Sequence, residues 1–136
     1  MLSNLKRRLA DLPCGLTLKG IAVVHTAFAV AVFRDTLVQF ARDGIFNTVG
    51  DDPTKGAVAW FTLAGAFMFS TGLAVERLEA VQAAQPDADV RFRGIGLFAL
   101  ATAAVGVALM PVSGFWLLVP PSVSMMLKDD KKDRPQ

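Results

Sequence analysis

The sequence predicts an all-α protein: a four-span transmembrane helix bundle with a short interfacial helix between spans one and two. Three observations carry that expectation. Hydrophobic residues make up 53% of the 136 positions and charged residues only 19%, which is too apolar for an ordinary soluble chain of this size. Residues 94–127 then run for 34 positions without a charge. As one helix that run would be about 51 Å long, well beyond a hydrocarbon core of about 30 Å. It has to fold back, and Met110-Pro111-Val112-Ser113-Gly114 is the natural bend, because proline cannot continue a helix interior and glycine tolerates tight-turn angles. Finally, two helices without a polar face have nothing to present to water, so a bilayer is the expected solvent.

The chain reads as a single membrane domain, 1–136. Its 14 basic and 12 acidic residues leave a net charge of +2, scattered rather than clustered, so no nucleic-acid partner is expected. Cys14 is the only cysteine, which excludes an internal disulfide and a multi-cysteine metal site. It reads as an unmodified thiol at the membrane edge. Lys6-Arg7-Arg8 resembles the start of a signal peptide, but Asp11, Pro13 and Lys19 interrupt the apolar run that cleavage would need.

Before the first span, Leu2, Leu5 and Leu9 share a helical face beside Lys6, Arg7 and Arg8, the pattern either of a basic arm suited to an anionic lipid surface or of a frayed terminus that supplies only positive charge. Span one covers about 16–33 and carries Lys19 near its start, His25 near its middle, and a small-residue face of Gly20, Ala27 and Ala31. Asp35 is placed to cap a short interfacial helix that ends at Gly44, with Asp35, Gln39, Arg42 and Asp43 toward water. Asp51-Asp52-Pro53 forms the turn into span two, about 57–75, which has no charge. Residues 76–93 read as a charged, alanine-rich connection, in which Glu76-Arg77-Leu78-Glu79 extends the helix and Pro86-Asp87 breaks it. Span three, about 94–110, aligns Gly96, Ala99, Ala103 and Gly106 for close packing. Span four, about 112–127, is short and contains Pro120-Pro121, so it is expected to be kinked or partly unwound near its centre. Residues 128–136 read as a charged, disordered tail.

With four spans, one side collects eleven Lys and Arg residues (positions 6, 7, 8, 19, 77, 91, 93, 128, 131, 132 and 134) and the other three, Arg34, Arg42 and Lys55. The excess places both termini in the cytoplasm, with Trp60 and Trp116 at the outer interface. The expected location is the bacterial cytoplasmic membrane.

His25-Thr26, the stretch Arg42-Asp43-Gly44-Ile45-Phe46-Asn47-Thr48-Val49, Ala59-Trp60-Phe61, and Met110-Pro111-Val112-Ser113-Gly114-Phe115-Trp116-Leu117-Leu118 carry a resemblance. The chain resembles an uncharacterised bacterial family of small four-helix integral membrane proteins, from about residue 18 to 127. The resemblance implies the four-span architecture and brings no activity, cofactor or catalytic residue.

Enzyme templates lack their parts: there is no second histidine, no tyrosine and no glycine-rich phosphate loop. No carboxylate falls in a predicted span, which disfavours proton-coupled transport. The expected function is an interaction or accessory membrane protein, with the lipid bilayer and a protein partner or second copy as partners and no cofactor or metal. Two alternatives remain: a carrier of a small apolar molecule in a bundle cavity, and a haem or quinone protein using His25. The candidate functional or structural polar positions are His25, Thr102, Ser70, Asp43 and Trp116. His25 should point inward, either bonded to Thr62, Ser70, Thr102 or a backbone carbonyl, or facing a cavity beside Pro120-Pro121.

Overall fold

The computed structural model describes residues 2–44 and 46–132; Ile45 of the 42–49 motif and residues 133–136 of the expected tail lie outside the described residues. The described residues form only helices: α1 Leu2–Ala10, α2 Cys14–Val32, α3 Arg34–Asp43, α4 Pro53–Ala84, α5 Arg93–Leu109, and a 3-10 helix, Gly114–Leu118, that runs into α6 Val119–Lys132. All-α is correct. The four-span transmembrane bundle is not: among the described residues there are six α-helices, of which only α2 and α4 are long and apolar enough to cross a membrane.

Two departures explain the difference. The predicted second span lies within a 32-residue helix, α4, which starts four residues before it and runs on through the expected extension at 76–79 as far as Ala84, short of the break at Pro86-Asp87. The predicted fourth span is divided. Pro120 and Pro121 lie in the first turn of α6, where a missing N–H costs nothing, and the preceding five residues are 3-10. Lys128 to Lys132 belong to α6 rather than to a disordered tail.

Local signals set most ends. Asp52 caps α4, its Oδ1 accepting from the Thr54 and Lys55 backbone N–H at 2.8 and 3.2 Å, with Pro53 at the first helical position. Gly44 ends α3 at φ 85°. Asp35 sits in the first turn of α3 without capping it, since the helix begins one residue earlier, at Arg34.

The helices pack as two pairs. In the first, antiparallel, α2 buries Gly15, Leu18, Ala22 and Ala29 against Val58, Gly65, Gly72 and Val75 of α4. A Cβ on Gly15 would stand 2.6 Å from the Glu76 Cα, and one on Gly72 would stand 2.9 Å from the Lys19 backbone nitrogen. The backbones therefore approach as closely as glycine allows. The expected small face of α2 is corrected: Gly20, Ala27 and Ala31 are exposed, and the parallel series Gly15, Ala22, Ala29 makes the contact.

In the second pair, Gly96, Ala103 and Gly106 of α5 are buried, as their spacing predicts, against α6 and the 3-10 helix. Gly96 lies under the Ser122 carbonyl and Met125, and Gly106 under the Phe115 ring. α6 and the 3-10 helix also touch α2, and α1 lies on α6. Phe92, Met125, Val75, Cys14 and Leu18 form the core where these elements meet.

The bend at Pro111 is present, but Gly114 has neither a positive φ nor any atom within 4 Å of a would-be Cβ. Gly114→Ala should therefore change stability by no more than about 0.5 kcal/mol. Thermal unfolding in detergent checks this, and a large loss would mean that the turn requires glycine.

Candidate functional site

His25 projects from α2 toward α4. Its ring stacks on Phe61 at 4.1 Å between centroids and 17° between planes, and its Nε2 faces the Phe61 carbonyl oxygen at 2.9 Å. Phe33 and Phe28 meet the same Phe61 ring at 5.5 and 6.2 Å. Gly65 provides the room, since a Cβ there would stand 2.5 Å from the Thr26 Oγ1 and 3.3 Å from the His25 ring. Ligation of a metal through Nε2 would cost the contact with the Phe61 carbonyl.

The other candidates are not gathered around His25. The Ser70 and Thr102 hydroxyls donate to the carbonyls of Ala66 and Phe98, one turn back in their own helices, at 3.0 and 2.9 Å. Thr62 does the same to Val58 at 2.9 Å. A hydroxyl in an apolar helix finds that acceptor before any distant one. Asp43 closes α3 with Lys55 3.7 Å away. The Trp116 indole N–H donates to the Pro111 carbonyl at 3.0 Å, closing the bend on itself.

A different set of side chains is brought together at the far end of the α2/α4 pair. The start of α2 has no side-chain cap of its own, yet its first N–H groups are satisfied across the fold. Glu79 of α4 accepts from the Cys14 and Gly15 backbone N–H at 2.8 and 3.1 Å, and the Lys128 ammonium of α6 donates to the same carboxylate. These two side chains are only 18% and 15% exposed. One turn away, Lys19 pairs with Glu76 at 2.8 Å. Asp129 repeats the device on α5, its two oxygens accepting from Phe92 N–H, each at 3.0 Å, and one of them from Arg93 N–H at 2.9 Å. A carboxylate at a helix N-terminus satisfies free donors and opposes the positive end of the helix dipole.

Cys14 completes the cluster, wholly buried, with its Sγ 3.1 Å from the Ser124 Oγ and 3.3 Å from the Leu12 carbonyl. It is a free thiol packed in the interior at the first residue of α2. Burial by itself raises the Glu79 carboxyl, but the bonds from Lys128 and the two backbone N–H groups outweigh it, and the group titrates below its ordinary 4.5. The cluster's donors and acceptors face each other, so its chemistry is that of a latch between α2, α4, α5 and α6. In the sequence Glu79 reads as helix extension and Asp129 as tail, and no spacing connects either to the N–H groups it caps.

A family model described as "Family of unknown function (DUF6463)" matches residues 11–132. No curated protein and no solved structure matches the chain. The expected kinship with four-helix integral membrane proteins is therefore corrected: the family matched is one of unknown function, and the described residues hold six α-helices, two of them candidate spans.

Proposed function

We propose that this chain, which belongs to the Family of unknown function (DUF6463), is a membrane-associated interaction protein held in the bilayer by α2 and α4. One observation carries the reading: the pair is packed inside out relative to a water-soluble helix pair. Gly15, Ala22, Ala29, Gly65 and Gly72 face inward, whereas Phe28, Phe67 and Trp60 stand outward, 56%, 64% and 70% exposed. Water would penalise those large apolar side chains, by about 25 cal/mol for each Å² left exposed. Lipid does not, and in lipid small residues at the helix contact are the favoured arrangement. Only 22% of the apolar stretch of each of these helices is buried, which argues against a buried core helix.

Length agrees with this reading. The 19 residues of α2 extend about 28 Å, and the apolar stretch of α4, 57–75, lies level with them because Gly65 stands against Thr26 and Gly72 against Lys19. The Lys and Arg excess lies on the side of Lys19, Glu79 and Lys128, which the positive-inside rule assigns to the cytoplasm together with both termini. The outer side then holds α3 and Trp60. The α5/α6 pair adds further outward apolar residues, Phe98 and Val105 among them. These faces are where a protein partner or a second copy would pack.

The test has two parts. The chain should remain in the pellet after alkaline carbonate extraction, and an alkaline phosphatase fused after Gln136 should be inactive. Extraction into the supernatant overturns the membrane reading; high phosphatase activity overturns the orientation.

A further inference from the structure

We propose that α3 carries a binding site for the headgroup of an anionic glycerophospholipid of the phosphatidylglycerol class. The inference rests on the membrane reading above. A groove of about 480 Å³ is lined by Arg34, Asp35, Val38, Gln39 and Arg42 of α3. Arg34, Val38 and Arg42 recur at intervals of four and so stand in one row along the helix. Among the described residues neither guanidinium is engaged in an ion pair, although Asp43 and Lys55 nearby are paired with each other.

Depth brings this row to the phosphates. α3 begins two residues after α2 ends, which is where the hydrocarbon thickness is used up. The antiparallel register that sets Gly65 against Thr26 puts the exposed Trp60 level with the last turn of α2, the position an interfacial indole favours. Leu37 and Phe40 are half-buried, so the polar row of α3 is held outward.

Charge and donor chemistry select the headgroup. Two guanidiniums and one carboxylate give the groove a net charge of +1, which a single phosphodiester neutralises. Guanidinium forks match phosphate oxygens in pairs, and the Gln39 amide adds a donor. Asp35 can accept from a headgroup hydroxyl. A glycerol headgroup supplies that donor, whereas choline has none, and a zwitterionic headgroup leaves the net charge unmatched. Val38 between the arginines offers the apolar contact for the glycerol backbone.

The test uses the full chain in nanodiscs of mixed phosphatidylglycerol and phosphatidylcholine, with the lipids that leave the disc on the protein identified by native mass spectrometry. Phosphatidylglycerol should be enriched over its bulk fraction, and R34Q/R42Q should reduce the enrichment about tenfold, the equivalent of one to two charge-assisted bonds. K6Q/R8Q in α1 should leave it unchanged. Helicity by circular dichroism should be the same in all three proteins, as expected for exposed side chains. No enrichment in the unaltered chain, enrichment that survives R34Q/R42Q, or enrichment lost through K6Q/R8Q overturns the site. Loss of enrichment in excess inorganic phosphate assigns the groove to free phosphate and overturns the lipid. A chain that fails carbonate extraction overturns both this site and the membrane reading; one that stays embedded without enrichment overturns the site alone.

Discussion

Gly15→Ala should destabilise the protein by about 3 kcal/mol, the upper end for forcing atoms into a filled contact. The added methyl would lie 2.6 Å from the Cα of Glu76. A flexible side chain could turn away from such a clash, but here the obstacle is the backbone of a 32-residue helix. Relief requires α2 and α4 to separate, which loosens every contact from Gly15 to Ala29 together. Gly20→Ala is the matched control, five residues along the same helix with nothing within 4 Å, and should lie within about 0.5 kcal/mol of the parent. Thermal unfolding in one detergent separates the two variants. Equal stability would mean that the α2/α4 register is wrong.

Glu79→Gln should cost about 3 kcal/mol, because breaking a largely buried pair strands the remaining charge. The amide keeps one acceptor oxygen for the Cys14 or Gly15 N–H, but its NH₂ points a donor at a second N–H or at Lys128, and the Lys128 ammonium loses its counter-charge. The variant also carries a pH signature. Since the folded-state pKa of Glu79 is depressed below 4.5, its contribution to stability is fully present above that value and disappears as pH falls through the lower folded value. The parent should therefore lose stability on acidification below about pH 4.5 more steeply than Glu79→Gln, which has no proton to take up there. Melting curves across that range, in the detergent used for Gly15→Ala, provide the check, and parallel profiles would refute the assignment.

What could be read from the sequence was what depends on neighbours in the chain. Asp52-Pro53 marks the start of α4, Gly44 the stop of α3, and the spacing of Gly96, Ala103 and Gly106 marks the packed face of α5. The extension of the second span through Glu79 and its break at Pro86-Asp87 were legible too, since charged residues continue a helix and proline does not; α4 runs on to Ala84. The small residues of α2 form two interleaved series seven apart, and the sequence alone gives no reason to prefer Gly15-Ala22-Ala29 over Gly20-Ala27. Pro120-Pro121 could be placed only by knowing where α6 begins. The candidate polar residues were chosen by depth, but Ser70 and Thr102 satisfy themselves within one turn and never reach His25. The carboxylates that close the fold act across 64 and 65 residues in one case and 36 and 37 in the other. Separations of that kind carry no local pattern.

The long-range caps also impose an order on biosynthesis. The Cys14 and Gly15 amides leave the ribosome well ahead of Glu79, and Ser124, which meets the Cys14 thiol, follows 110 residues after it. At about 5 to 20 residues per second, that interval is on the order of ten seconds. Water at the bilayer surface satisfies the open donors of α2 over the first 64 or 65 of those residues, until Glu79 has been made, and α6 then brings Lys128 and Ser124 to that end. The segment translated last is thus the one that closes the first.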